Sequence, residues 1–150
     1  MSNSIRVEHR RDDRFDIAIG HHLVHVDQPL VDGGGDTGPT PTELFVAGLA
    51  SCVAHYARRY LHRHGLPTDG LAVTATFAWA TDRPARLSTV DLDIAIPAGV
   101  PADRHDALLA VASHCTVHNS LEHPPLVRIG AKESAPGRRS LGRVGPARRG

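Results

Sequence analysis

The chain has 150 residues, which is enough for one domain with a hydrophobic core but too few for two. Its three Phe, two Tyr and one Trp predict an aliphatic, alanine-rich core, and so modest a core favours oligomerisation. The net charge is +1, no uncharged run approaches the roughly 20 residues of a membrane span, and the N-terminus has no apolar signal segment, so we expect a cytoplasmic protein with no membrane partner.

Residues 131–150 differ in composition from the rest of the chain. They carry six basic residues against one acidic residue, so their net charge is +5 and that of residues 1–130 is −4. They are rich in Gly, Pro and Ser and show no hydrophobic periodicity, which predicts disorder. A basic arm can contact nucleic acid, but a solvent-exposed terminus without a function is commoner. We therefore expect no nucleic acid partner. We therefore predict one folded domain over 1–130 and a disordered tail over 131–150.

Polar and apolar residues alternate over the first thirty positions, as they do in strands. The pattern predicts three short strands over 5–9, 15–19 and 23–26, separated by turns at 10–14 and 20–21. A β-meander is the natural interpretation. The segment 32–38 contains four glycines and predicts a loop.

A helix start follows the loop. Thr40-Pro41-Thr42-Glu43 combines a Thr N-cap, Pro at the first helical position and Glu at the third, which is a capping box. The helix is predicted to run to about His64, where Gly65 follows. Because it is almost wholly apolar as far as Tyr56 and basic afterwards, we expect its first half to be buried on all sides and its last turns to reach solvent.

The remaining pattern predicts a long hairpin and two further helices. The strands cover 71–80 and 85–96, the second helix runs from 102 to 114, a short helix covers 117–122, and a last strand covers 126–129. This order contains no βαβ alternation, so we predict an α+β fold with a mainly antiparallel sheet packed on two main helices. An apolar first helix would sit most easily between two sheets, one of them from a partner chain.

The two cysteines, Cys52 and Cys115, lie 63 positions apart. In a reducing compartment they are not expected to form a permanent structural disulfide, so they are buried hydrophobes, metal ligands or redox-active thiols. By position alone Cys52 is a core residue, because it shares a helical stripe with Phe45, Leu49, Tyr56 and Tyr60. Cys115 lies at a helix end between His114 and His118, and local sequence therefore makes it the better thiolate candidate.

A metal site is the alternative that the spacing leaves open. Cys52-x-x-His55 and Cys115-x-x-His118 each present two ligands on one helical face, which permits a Cys2His2 zinc site. Eleven histidines are scattered through the chain, so such pairs arise easily by chance. The glycine loop has no GxGxxG or GxxxxGK pattern, and we expect no nucleotide or other cofactor.

Two segments resemble the OsmC/Ohr family. The first is Gly38-Pro39-Thr40-Pro41-Thr42-Glu43-Leu44-Phe45-Val46-Ala47-Gly48-Leu49-Ala50-Ser51-Cys52, which is similar to the family's Gly-rich loop, Pro-x-Glu-Leu helix start and Cys in an Ala-rich helix. The second is His114-Cys115-Thr116-Val117-His118-Asn119-Ser120-Leu121 with Pro124-Pro125 downstream, which resembles the family's second-cysteine segment. With the meander and hairpin in order, the resemblance covers about residues 5–130.

The resemblance implies an intertwined homodimer in which the long helices pack between sheets and two sites lie at the interface. It also implies reduction of hydroperoxides. Cys52 would attack the peroxide as a thiolate, Cys115 would resolve the sulfenic acid as a disulfide, and an external dithiol would regenerate both thiols. This assignment takes precedence over the local argument for Cys115.

Peroxidases of this family also use an Arg and a Glu beside the thiolate. A gapless comparison puts Arg11, in the first turn, at the arginine position, with Arg14 as the near alternative; either could equally be a solvated turn residue. The family's glutamate directly follows the proline, where this chain has Thr42, and Glu43 comes one position later. On a regular helix Glu43 is about 180° from Cys52, so a capping role is favoured over the catalytic one.

The sequence thus favours an OsmC-like thiol peroxidase acting on organic or inorganic hydroperoxides. The alternatives are an OsmC-fold protein that binds a small apolar ligand with little peroxidase activity, and a Cys/His zinc site in the same fold.

Overall fold

The computed structural model describes residues 3–134, which form two antiparallel sheets and three α-helices. The strands are β1 (Ile5–Arg11), β2 (Arg14–Ile19), β3 (His22–Val26), β4 (Ala72–Trp79) and β5 (Leu87–Ala95). The helices are α1 (Pro41–Arg63), α2 (His105–Ala112) and α3 (Thr116–Glu122), and short 3-10 turns cover Leu30–Asp32 and Ala102–Arg104. The predicted α+β class is confirmed. Of the predicted tail, only residues 131–134 fall within the described part of the chain.

The first sheet is the predicted meander, in the order β1-β2-β3. Its register puts apolar side chains on one face and ionic side chains on the other. The apolar face consists of Ile5, Val7, Phe15, Ile17, Ile19, Val24 and Val26. Within the described residues this sheet has no substantial packing against the helices or the second sheet, so Ile5 and Val7 are 61% and 55% exposed.

The glycine-rich loop after β3 is organised by one buried carboxylate. Asp27 is 2% exposed and accepts hydrogen bonds from the backbone N–H groups of Gln28, Gly35 and Thr37 and from the Thr37 hydroxyl. Two glycines are required by close approach, because a Cβ on Gly34 would lie 2.0 Å from the Gln28 carbonyl oxygen and one on Gly38 would lie 2.5 Å from that of His25.

The Asp27 hydrogen bonds predict acid-sensitive stability. Led by the Thr37 hydroxyl, they lower the pKa of Asp27 from 3.8 to about 2. Between these values the unfolded chain binds a proton that the folded chain does not, so Asp27's contribution to stability is present above about pH 4 and is lost as the pH falls towards 2. Denaturant unfolding measures this effect. The free energy of unfolding of wild type should exceed that of Asp27→Asn above about pH 4, and the difference should shrink as the pH falls towards 2.

Asp36→Asn is the matched control, since Asp36 is an exposed carboxylate in the same loop. Its free energy of unfolding should change with pH in the same way as that of wild type. Parallel pH profiles for wild type and Asp27→Asn would contradict the assignment.

Helix α1 begins as the sequence predicts. Thr40 is the N-cap and Pro41 the first helical residue, and both hydrogen bonds of the capping box with Glu43 are formed. The expectation that its first half is buried on all sides is wrong for the single chain, because Phe45 is 47% exposed. Only one stripe is buried, consisting of Val46, Leu49, Val53, Ala57, Tyr60 and Leu61. The reason is that the hairpin and the two shorter helices cover one side of α1 only.

The core lies between α1, the β4-β5 hairpin and α2. Its buried members include Leu61, Leu108 and Ala112, and the inward residues of the hairpin, such as Val90 and Leu92, pack against them. The hairpin pairs antiparallel from Ala72–Ala95 to Trp79–Leu87, close to the predicted bounds. No helix of the described chain is long and apolar enough to cross a membrane.

The predicted last strand over 126–129 is wrong for the single chain. Residues 124–134 have no regular secondary structure, and Leu126, Val127 and Ile129 are 75%, 72% and 95% exposed. A strand needs a neighbour to pair its backbone groups, and none of the described strands lies beside this segment. The short helix predicted over 117–122 is present as α3.

Candidate active site around two cysteines

Cys52 lies near the middle of α1, at the edge of the hydrophobic core. Its side chain is half-buried and packs against the buried cluster. Leu49 and Val53, its neighbours on the same face, are only 4% and 5% exposed. The sequence-based interpretation of Cys52 as a core residue is therefore correct for one side of the thiol, while the other side is open to solvent in the protomer.

Cys115 is the N-cap residue of α3. Its backbone is extended, and its Sγ accepts a hydrogen bond from the backbone N–H of His118 at 3.4 Å. A thiol thus occupies the position that Ser, Thr, Asp or Asn usually fills. The side chain is completely buried, with 0% exposure.

Burial decides the ionisation of Cys115. It raises the pKa of the thiol because it disfavours the charged form, the N–H of His118 opposes this, and Cys52 raises the pKa further. Local sequence predicted a lowered pKa at this helix end, and that expectation is wrong because burial outweighs the backbone donors. Cys115 is therefore a neutral thiol near pH 7.

The two histidines that flank Cys115 do not donate to its sulfur through their rings. The Nδ1–H of His114 donates to the Ala110 carbonyl, and that of His118 donates to the Ser113 carbonyl. The Nε2 of His118 lies 3.6 Å from Glu122 Oε1. Both rings are thus engaged with other groups, and the thiol is served by the backbone N–H groups of His118 and Val117 instead.

The structure brings the two thiols into one region of the core. Both cysteines are free. Cys115 belongs to the buried cluster against which Cys52 packs, and Cys52 raises the pKa of the Cys115 thiol, so the two side chains lie close together. One thiol is thus half-buried on α1 and the other is buried at the start of α3.

Arg11 is not near these thiols in the same chain. It is the last residue of β1, not part of the turn, and its side chain is exposed. The meander that carries it does not pack on the helices, and among the described residues Arg11 has no hydrogen bond or ion pair.

Arg14, the alternative to Arg11, belongs to an ionic network on the polar face of the meander. Its Nε lies 3.5 Å from Asp16 Oδ1, and its Nη2 lies 3.1 Å from His25 Nδ1. Asp16 also accepts from Arg10 at 2.7 Å and from His25 at 2.6 Å. The hydrogen bond from His25 is the main cause that lowers the pKa of Asp16. Arg14 thus has partners that Arg11 lacks.

Glu43 is engaged at the helix start. Its Oε2 accepts from the Thr40 N–H at 2.7 Å, and its own N–H donates to Thr40 Oγ1 at 3.2 Å. The favoured capping interpretation is therefore confirmed. A catalytic role would require this carboxylate to leave the cap.

The zinc alternative lacks a ligand set. Within residues 3–134, no group of three or more His, Cys, Asp and Glu side chains converges in a way that could hold a metal ion. His55 instead packs edge-on against the Tyr56 ring.

An apolar cavity of about 420 Å³ is lined by residues that neighbour both cysteines in the sequence. Leu49 and Val53, which flank Cys52 on α1, line it together with Val90, Leu92 and Ile94 of β5. Its polar lining comes from Ser113, His118 and Glu122, on either side of Cys115 in the chain. The cavity can accept the apolar part of a small organic molecule.

Sequence reasoning missed a hydrogen bond between Tyr56 Oη and Thr116 Oγ1, 2.9 Å long. Tyr56 lies one turn after Cys52, and Thr116 directly follows Cys115. The only signal in the sequence was this adjacency of hydroxyl side chains to both cysteines.

The family model of the OsmC-like proteins matches residues 33–130, which include both cysteines, the capping box and the core. The resemblance had covered about 5–130, so the meander lies outside this match. A sequence comparison with curated proteins finds no match.

Solved structures share the fold. A Psychrobacter arcticus protein, provisionally named as an osmotic stress induced and detoxification response protein, is 21% identical with a TM-score of 0.72, over 80% of this chain and 88% of that chain. An OsmC-like protein of Mycoplasma pneumoniae is 17% identical with a TM-score of 0.70, over 81% and 88%. An organic hydroperoxide resistance protein OsmC of Legionella pneumophila is 20% identical with a TM-score of 0.60, over 81% and 89%. The family match over more than half the sequence, together with this shared fold, means that the chain belongs to the OsmC-like proteins.

Proposed function

We propose that this protein is a thiol-dependent peroxidase in which Cys52 reduces a hydroperoxide and Cys115 resolves the product. The Cys52 thiolate attacks the peroxide, so an S–O bond forms, the O–O bond breaks, and the alkoxide leaves as alcohol after protonation. The Cys115 sulfur then attacks the sulfur of the Cys52 sulfenic acid as its proton leaves. The S–S bond forms, the S–O bond breaks, and the leaving hydroxide takes up that proton as water. An external dithiol reduces the disulfide by thiol exchange.

The proximity of the two free thiols in one core cluster is the observation that supports this proposal. A neutral, fully buried thiol reacts poorly with peroxide because the thiolate is the reactive form, which favours Cys115 as the resolving residue. Cys52 is partly accessible and can meet a peroxide. The unequal burial of the two sulfurs therefore agrees with the order of steps that the resemblance implies.

The proposal includes a homodimer. The apolar face of the meander is uncovered, α1 is buried on one side only, and the residues of segment 126–129 find no neighbouring strand. A second copy would cover these surfaces and supply the layer that the apolar helix lacks. In such a dimer Arg11 would serve the Cys52 of the partner subunit, since its own meander does not reach α1.

The cavity favours organic hydroperoxides as the substrate class. Its lining is mainly aliphatic and includes residues that neighbour each cysteine in the sequence, such as Val53 and Ser113. Burial of an alkyl group contributes about 25 cal/mol of binding free energy per Å² of apolar surface that leaves water. Hydrogen peroxide has no apolar surface and lacks this contribution.

Thiol mapping by mass spectrometry after one equivalent of an alkyl hydroperoxide tests the proposal. Wild type should form a Cys52–Cys115 disulfide, and Cys115→Ser should accumulate oxidised Cys52. Serine is a favoured N-cap residue, so this variant keeps α3 capped. Two unmodified thiols in wild type after prolonged exposure would sink the peroxidase proposal.

The cavity also supports a second candidate function, the binding of a small apolar ligand without peroxidase turnover. Unmodified thiols in the mapping experiment, together with saturable binding of an apolar fluorescent probe, would favour it.

A further inference from the structure

One hydrogen bond connects the two segments that carry the cysteines. Tyr56 Oη on α1 lies 2.9 Å from Thr116 Oγ1 at the first residue of α3. Tyr56 is one helical turn beyond Cys52, and Thr116 is covalently next to Cys115. Among the described residues, this is the one hydrogen bond that joins α1 to α3.

Helix α3 has few other attachments to the core. It has seven residues, none of which is buried, and Val117 is its partly buried apolar contact with the core cluster. Its other hydrogen bonds are local, such as that from Asn119 Nδ2 to the His114 carbonyl at 3.2 Å. A helix this short is not stable by itself, so its position relative to α1 depends on a small number of contacts.

We propose that Tyr56 and Thr116 are positioning residues for the disulfide-forming step. Their hydrogen bond holds the first turn of α3 against α1, and so holds the sulfur of Cys115 in line with that of Cys52. This inference rests on the proposed function. Disulfide formation tolerates a narrow range of Cβ separations and dihedral angles, and attack within a chain is fast only when the reacting atoms are held in place.

The role is confined to the second step. Attack of Cys52 on a peroxide does not use the Cys115 sulfur, and neither Tyr56 nor Thr116 lines the apolar cavity, so loss of their hydrogen bond should not affect this step. Loss of the bond should instead lengthen the lifetime of the Cys52 sulfenic acid, because Cys115 then reaches the attacking geometry less often. Prolonged lifetime exposes that sulfenic acid to trapping and to further oxidation.

Conservative variants isolate the bond. Tyr56→Phe removes only the hydroxyl, since the ring packs against the core cluster and beside His55. Thr116→Val removes the other partner, while Thr116→Ser retains a hydroxyl. Tyr60→Phe is the matched control, because the Tyr60 hydroxyl on the same helix is buried without a hydrogen-bond partner in the described part of the chain.

The experiment is a single turnover with an alkyl hydroperoxide, quenched at intervals and analysed by mass spectrometry for free thiol, trapped sulfenic acid and disulfide. We expect Tyr56→Phe and Thr116→Val each to slow disulfide formation at least about fivefold, with no further loss in the double variant, since both remove one bond. The rate of Cys52 oxidation should be unchanged in both variants. Thr116→Ser and Tyr60→Phe should each form the disulfide at about the wild-type rate.

Disulfide formation at the wild-type rate in Tyr56→Phe would overturn the inference, as would an equal loss in Tyr60→Phe or a parallel slowing of both steps. Each of these results leaves the peroxidase proposal standing, because wild type still forms the disulfide. Absence of any disulfide in wild type would instead remove the proposed function on which the inference rests.

Discussion

Replacing Cys52 with serine is expected to lower kcat/KM for an alkyl hydroperoxide by at least about 10³-fold, which corresponds to about 4 kcal/mol of barrier. The reason is chemical, because a serine hydroxyl is neutral near pH 7 and cannot form the sulfenic acid. Cys115 cannot replace the missing nucleophile, since its thiol is buried and its pKa is raised. The variant should therefore be inactive although one thiol remains.

Peroxide consumption in the presence of excess dithiol measures this effect, and thermal unfolding provides the control for folding. Serine is close to cysteine in size, and Cys52 is only half-buried, so stability should change by no more than about 1 kcal/mol. Cys115→Ser is the comparison variant, which should still consume one equivalent of peroxide in a first turnover. Equal activity of Cys52→Ser and wild type would exclude Cys52 as the nucleophile.

Replacing Arg11 with alanine is expected to slow the oxidation of Cys52 at least tenfold, or about 1.4 kcal/mol of barrier. A guanidinium stabilises a thiolate and can orient a peroxide through its fixed donors. Arg11 is exposed and unpaired among the described residues, whereas Arg14 is ion-paired with Asp16. Arg6→Ala, the matched control, removes an arginine of the same strand that pairs with Glu8, and it should leave the rate unchanged.

Subunit mixing tests whether Arg11 acts across a dimer. Co-refolding Arg11→Ala with Cys52→Ser produces mixed dimers in which one site has both an intact arginine and an intact cysteine, if the two residues come from different chains. Random pairing should then recover about a quarter of wild-type activity from two impaired parents. If Arg11 acts on its own chain, no intact site forms, and the mixture stays at the average of the two parents.

The parts of the fold that are predicted well from the sequence are those determined by residues only a few positions apart. The capping box at Thr40 and Glu43 depends on residues three positions apart, and the alternation in the meander and the hairpin depends on neighbours two positions apart. The motifs around Cys52 and Cys115 were likewise readable, because each lies within one contiguous segment. The segment 126–129 shows the limit, since its apolar residues predict a strand but cannot supply a neighbouring strand to pair with it.

The candidate site itself depends on packing between distant segments. Sequence spacing could not show that Cys52 and Cys115 lie close together, that burial raises the pKa of Cys115 against the helix N-terminus, or that Tyr56 bonds to Thr116. Nor could it show that Arg11 lies away from the thiols of its own chain. Most helices and strands and the two cysteine motifs could thus be found from the sequence, because they follow from local periodicity, capping and composition. Which thiol is buried, and which side chains lie around it, became visible in the folded chain alone, because desolvation and contacts between residues about 60 positions apart arise from the packed core.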